Sequence, residues 1–280
     1  MRLFSGIKMK IKYVKANPTE NKTLLVQSSV PRELQPSIAG AMLSADPDAE
    51  QVGFFEMPSD PRASVRLQMM GGEFCGNASI SAAAEMAERE GIKPGERREI
   101  LMEVSGAEGI VKCLVQYDGK VYTGTVDMPL PKKIEKTILK YKENEYPVNV
   151  VFLPGIIHII LDKNVSEKSD PYFMESAIKE WSGLFEEEAV GLIGFDEESC
   201  TITPLVYVRS TDSLYWERGC GTGTAAAGVY MSYKYRQSVD IPVKQPGGII
   251  TAETGFDGTG LKSLKITGKV FFEDEGYFEI

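Results

Sequence analysis

The 280-residue sequence predicts an α+β fold of two similar halves, each a curved sheet folded around one helix. Three observations carry that expectation. Strand-like apolar runs far outnumber helical stretches, which favours sheets over a helical bundle. A cysteine followed by glycine, small residues and a helical run occurs twice, as "CGNASISAAAEMAE" from Cys75 and "CGTGTAAAGVYMSY" from Cys220, about half a chain apart. Flanking segments repeat in the same order, "EQVGFFEMP" answering to "EAVGLIGFD" and "VSGAEGIVKC" to "VKQPGGIITA". A repeat of that length means two like domains rather than a solenoid.

The elements follow in order. "MKIKYVKA" and "TLLVQSS" read as strands, and Pro31 to Ala45 as the first helix. "QVGFFEM" and "SVRLQMM" are strands before a helix over Ala78 to Glu90. "EILMEVS" and "GIVKCLVQYDGKVYTGTVDM" complete the first half, and the proline-bearing "DMPLPKKIEKT" reads as a linker, dividing the chain into residues 1–132 and 133–267. In the second half "YPVNVVFL" and "IIHIIL" precede a helix over Asp170 to Phe185. "AVGLIGFD", "TITPLVYVRS" and "SLYWERG" lead to a helix over Thr224 to Tyr235. "DIPVKQPGGIITAET" and "LKSLKITGKVFFE" are the last strands, and "SLYWERG" before Cys220 is matched with "VRLQMM" before Cys75.

Composition narrows the partners. A net charge of −9 and a pI near 5.0 disfavour nucleic acid and anionic membranes. The N-terminal "MRLFSGIKMKIKYVK" breaks its apolar residues with lysines, so it reads as a strand rather than a signal peptide. The most apolar run, Val148 to Leu161, is too short to span a bilayer, and a cytoplasmic protein is expected. The four cysteines show no CxxC spacing and only His158 is available as a further ligand, so neither metal nor other cofactor is expected. Cys113 and Cys200 read as bystanders.

The chemistry rests on Cys75 and Cys220. A helix start presents unpaired N–H groups and the positive end of the macrodipole, which lowers a thiol's pKa and cradles a carboxylate. Gly76 and Gly221 allow close backbone approach, while Asn77 and Thr222 read as caps and hydrogen-bond donors. Two such thiols on opposite sides of a cleft suit inversion of a carbon bearing an acidic hydrogen. One thiolate removes the proton and the other thiol delivers one to the opposite face. "GCGTGT" lacks the G-x-G-x-x-G spacing of a dinucleotide loop. His158, on an apolar strand, reads either as a core residue or as part of the cleft.

With these motifs the chain resembles the diaminopimelate epimerase-like family of cofactor-independent amino-acid racemases. The resemblance implies two domains, each a β-barrel around a central helix, with the C-terminal strand 268–280 returning to the first, and a homodimer. It implies that Asn21, Gln51, Glu217, Arg218 and the backbone after each cysteine bind the substrate's amino and carboxylate groups. Only Gly219 separates Arg218 from Cys220, a shorter loop than epimerases carry. Polar groups that hold the far end of diaminopimelate are replaced by Met69–Met70, Ile156 and Ala189, so Met70, Ile156, His158 and Ala189 outline a largely apolar side-chain pocket. Glu73, Tyr215 and Trp216 add polar contacts to it. "EQVGFFE", "GGEFCGNA", "SLYWE", "CGTGTA" and "QPGG" are similar to the histidine racemase branch, which supplies D-histidine for opine-type metallophores. The expected function is therefore histidine racemisation. Diaminopimelate epimerase, another isomerase of the same fold, and a non-enzymatic amino-acid binding protein stand as alternatives.

Overall fold

The structure, a computed structural model, describes residues 9–167, 172–209 and 212–280. The start of the strand expected at the N-terminus and the first residues of the helix expected from Asp170 lie outside them. The chain divides into two compact units, Met1–Val126 with Lys269–Ile280, and Asp127–Gly268.

The first unit contains β1 (Lys10–Pro18), β2 (Thr23–Val26), α1 (Gln35–Ala45), β3 (Gln51–Glu56), β4 (Val65–Met69), α2 (Gly76–Arg89), β5 (Arg97–Val104), β6 (Ile110–Tyr117) and β7 (Tyr122–Asp127). Each strand pairs with the next, antiparallel except for the parallel pairs β2–β3 and β4–β5. The two parallel joins are the two that α1 and α2 cross, since a parallel pair needs a long connection. Alternation decides the faces: Val111, Cys113 and Val115 of β6 point inward and their neighbours outward. α2 contacts β1, β2, β4, β5 and β6, so the sheet curls around it. Its alanines and serines are buried on every side, and their small size lets the strands approach.

The second unit contains β8 (Lys133–Tyr141), β9 (Asn144–Leu153), β10 (Ile156–Asp162), α3 (Lys163–Glu167), α4 (Phe173–Ser182), β11 (Ala189–Asp196), β12 (Thr201–Val208), β13 (Ser213–Trp216), α5 (Gly221–Tyr235), β14 (Asp240–Gln245), β15 (Gly248–Phe256) and β16 (Leu261–Glu279). From β9 onward the pairings recur in the first unit's order: antiparallel, parallel, antiparallel, parallel, antiparallel, antiparallel. α5 occupies the place of α2, in contact with β9, β10, β11, β12, β14 and β15. Trp181, Phe173 and Ile178 of α4 pack on the other face of the sheet, against Ile157, Ile159 and Leu161. The end of β16 returns to the first unit, where it pairs with β1 from Lys10↔Glu279 to Pro18↔Val270.

Three expectations change. The linker reading fails from Lys133 onward, because "KIEKTILKY" is β8, which pairs with β9 at the end of the strand order among the described residues. Its Lys and Glu side chains face solvent, which hides the apolar alternation and protects the edge. The counterpart of β4 is β12, antiparallel to β11 and parallel to β14, whereas "SLYW" forms an added strand on β12's edge. The central helices start at Gly76 and Gly221, ahead of the predicted Ala78 and Thr224, because the residue before each caps it. Among the described residues no helix is long and apolar enough to cross a membrane.

Candidate active site

Each cysteine is the N-cap of its unit's central helix. Cys75 has extended backbone angles, and its Sγ accepts from the Ala78 N–H at 3.4 Å. Cys220 does the same, with the Gly223 N–H at 3.2 Å. In both, sulfur takes the place of a serine or threonine capping oxygen. Asn77 and Thr222, read from the sequence as caps, sit instead in the first turn and turn their side chains to other partners.

In the first unit Asn77 meets Asn21, which also meets Gln51. Asn77 Nδ2 donates to Asn21 Oδ1 at 3.1 Å, and Gln51 Nε2 donates to the same oxygen and to Thr23 Oγ1, both at 2.8 Å. Two donors on one oxygen fix the Asn21 amide, whose Nδ2 then faces the Glu50 carboxylate. Asn21 sits just past a turn in which Thr19 and Glu20 both take positive φ. The loop before Cys75 is held from below. Ser105 Oγ donates to the Glu73 carbonyl at 2.8 Å, and any Cβ on Gly106 (φ +73°) would strike the Phe74 backbone. Glu73 itself folds back over Gly71, and burial raises its carboxyl pKa.

In the second unit His158 lies fully buried on β10, in register with Gly191 of β11. Gly191 is glycine for lack of room: a Cβ there would overlap the imidazole. His158 Nε2 lies 2.9 Å from Thr222 Oγ1, which is 3.6 Å from Cys220 Sγ, and Nδ1 has no hydrogen-bond partner among the described residues. Burial holds the imidazole neutral, with its pKa lowered to about 3. Ile156 and Ala189 are paired two residues earlier on the same strands as His158 and Gly191. Met70, by contrast, is packed on the apolar cluster beneath α1 in the first unit.

The thiol expected to ionise near neutrality does not do so at Cys220. Burial comes first, then the charge and hydrogen bond of Glu217; together they push it well above the usual value despite the Thr222 and Gly223 donors. Glu217 therefore stands beside the thiol. Arg218 is exposed, its carbonyl accepting from Gly247 N–H at 2.7 Å and its guanidinium 3.5 Å from the Pro246 carbonyl. The exposed Tyr215 and Trp216 lie on β13, where Trp216 donates to Glu175 at 2.8 Å.

Sequence reasoning missed Glu50, Ser105 and Gln245. Gln245 Oε1 accepts from the Cys220 N–H at 2.6 Å. Its only sequence signal was the "QPGG" turn.

A family model described as the histidine racemase CntK N-terminal domain matches residues 10–278. The chain belongs to this family. It is accordingly an isomerase. A histidine racemase of Staphylococcus aureus is 29% identical over 274 residues, covering 94% of this chain and 98% of the relative. One from Fusobacterium nucleatum is 31% identical over 244 residues, covering 84% and 86%. A hydroxyproline epimerase from Agrobacterium vitis, solved with bound trans-4-hydroxy-L-proline, superposes with a TM-score of 0.71 at 13% identity, covering 97% and 93%. A methylitaconate-delta-isomerase does so with 0.61 at 13% identity, covering 98% and 96%. At such identities these structures share the fold, and it is the mixed α+β racemase fold expected from the sequence.

Proposed function

We propose that the chain racemises histidine without a cofactor, with Cys75 and Cys220 as its two proton-transfer groups. The observation that carries this reading is their equivalence: each caps the central helix of a unit with the same order of strand pairings. Inversion at Cα needs two groups acting on opposite faces, and a duplicated topology supplies two alike. N–H groups at the starts of α2 and α5 receive the substrate carboxylate and stabilise charge as the Cα proton leaves. With Glu217 beside a buried thiol, Cys220 holds its proton in the free enzyme and enters the cycle as the donor, with Cys75 as the base. After one turnover the states are exchanged. Asn21, Gln51 and Glu217 serve the ammonium group.

Histidine is supported by the relatives and by the residues around His158. A buried neutral imidazole, Thr222, Ile156 and Ala189 offer no charge to a distal zwitterion, and leaving one unpaired costs several kcal/mol. Thiols that must stay reduced suit the cytoplasm. The protein is proposed to act as a homodimer.

The test is exchange in D₂O. With L-histidine the wild type is expected to replace the Cα proton with deuterium and yield D-histidine, while Cys75→Ala and Cys220→Ala abolish racemisation. LL-diaminopimelate turned over at a kcat/KM equal to that of L-histidine overturns the substrate assignment. Wild-type turnover by either variant overturns the two-thiol mechanism.

A further inference from the structure

A closed ring of hydrogen bonds surrounds the Cys220 backbone. The Cys220 N–H donates to Gln245 Oε1 at 2.6 Å, Gln245 Nε2 donates to Thr224 Oγ1 at 2.8 Å, and that hydroxyl donates to the Cys220 carbonyl at 2.8 Å. Cys220, Gln245 and Thr224 are all buried. The ring has one orientation only. Thr224 spends its hydrogen on the carbonyl and can only accept from the amide, so turning the amide over would set its NH₂ against the Cys220 N–H. The same turn ties the loop a second time, through Gly247 N–H to the Arg218 carbonyl at 2.7 Å. The short connection from Arg218 to Cys220 is thus fixed at both ends by β14 and the turn after it.

The residue at the matching turn of the first unit is Gly106, which has no side chain, and Ser105 ties the loop at the Glu73 carbonyl, two residues before Cys75.

We propose that Gln245 is the positioning residue of Cys220, fixing the backbone of the capping cysteine so that Sγ points at the Gly223 N–H and Thr222. The proposal rests on Cys220 being a proton-transfer group. Its consequence is an asymmetry between the halves. The Cys220 N–H is committed to Gln245, so the carboxylate cradle on α5 begins at Gly221. The charged and titratable groups facing this thiol are Glu217 from the preceding loop and, through Thr222, His158 of β10, which stays neutral above about pH 3. Gln245 brings no charge of its own.

Two variants test it. Gln245→Ala opens the ring: the Cys220 N–H loses its acceptor and the Thr224 hydroxyl loses its donor, keeping only its own bond to the Cys220 carbonyl. It is expected to lower kcat about tenfold or more while KM changes by less than about threefold, in protein that is folded by circular dichroism. Gln245→Glu keeps an acceptor for the N–H but adds a negative charge at the Cys220 backbone. In this variant the pH midpoint of Cys220 alkylation by iodoacetamide, followed by peptide mass spectrometry, is expected to rise by about one unit. Cys75 is expected not to move. Wild-type kcat in folded Gln245→Ala overturns the proposal, as does no shift at Cys220 or an equal shift at both cysteines. If Gln245→Ala does not fold, the glutamate variant decides alone. Alkylation needs no substrate, so the Gln245–Cys220 link is read even if wild-type protein leaves histidine unchanged, an outcome that sinks the histidine assignment alone.

Discussion

At the scale of single residues, His158 shows how the site's polarity is kept fixed. Its imidazole is neutral because burial removes the water that would solvate a charge, and among the described residues no carboxylate bonds Nδ1 to compensate. The folded pKa of about 3 lies below the ordinary value of 6.5, so below that value the unfolded chain binds a proton that the folded chain refuses. Stability from this group is complete above about pH 6.5 and drains away as pH falls toward 3, by at most about 1.4 kcal/mol per unit. His158→Gln keeps a hydrogen bond for Thr222 and removes the titration. Urea unfolding at several pH values is expected to show a shallower loss of stability in the variant between pH 6 and 4 than in the wild type. Parallel curves would mean that the imidazole is protonated in the fold.

At the scale of elements, the loop before α2 depends on the β5–β6 turn beneath it. Gly106 combines φ of +73° with a Cβ direction aimed at the Phe74 backbone. Gly106→Ala therefore adds conformational strain and a backbone clash, and is expected to cost about 2 kcal/mol or more in stability and to lower racemase activity by displacing Cys75. Thermal unfolding and initial rates check both; unchanged values of each would remove the turn from the site's support. What could be read in advance at this scale follows from chemistry that repeats. The two cysteine helices, the Val-Gly strands before them and the glycine turns after them were legible because each half states them again. β8 was not, because an edge strand with solvent-facing Lys133, Glu135 and Lys136 carries no apolar period. Nor was the true partner of β4. Both "VRLQM" and "SLYW" stand just before a cysteine, and only pairing shows that β13 is an addition to β12. Asn21 and Gln51 were named through the resemblance and Asn77 from the helix start; that Asn77 and Gln51 both donate to the Asn21 oxygen is visible only in the structure. Gln245 was not, because its partner is a backbone N–H that no residue pattern announces.

At the scale of the whole molecule, the ends of the chain belong together. The last residues of β16 form the strand beside β1, and Phe278 and Ile280 pack on the apolar cluster of Ile11, Leu24, Ile38 and Val52. A bulge between Lys15 and Ala16 leaves Glu273 outside the register. Its carboxylate accepts from Asn17 Nδ2 at 2.6 Å and pairs with Lys22 at 3.2 Å. Asn17 Oδ1 in turn accepts from the Glu20 N–H at 2.8 Å, inside the turn that carries Asn21. The end of the chain thus steadies the turn that carries Asn21 near its beginning, and the second unit is an insertion within the first. Truncation after Gly268 is expected to unpair one edge of β1 and expose the cluster, loosening the first unit before the second. Hydrogen exchange is expected to accelerate in β1 to β4 and α1, and alkylation of Cys75 to quicken, while α5, β14 and β15 keep wild-type protection. If β1 to β4 stay protected in the truncated chain, the returning strand is an accessory and the first unit folds on its N-terminal residues alone.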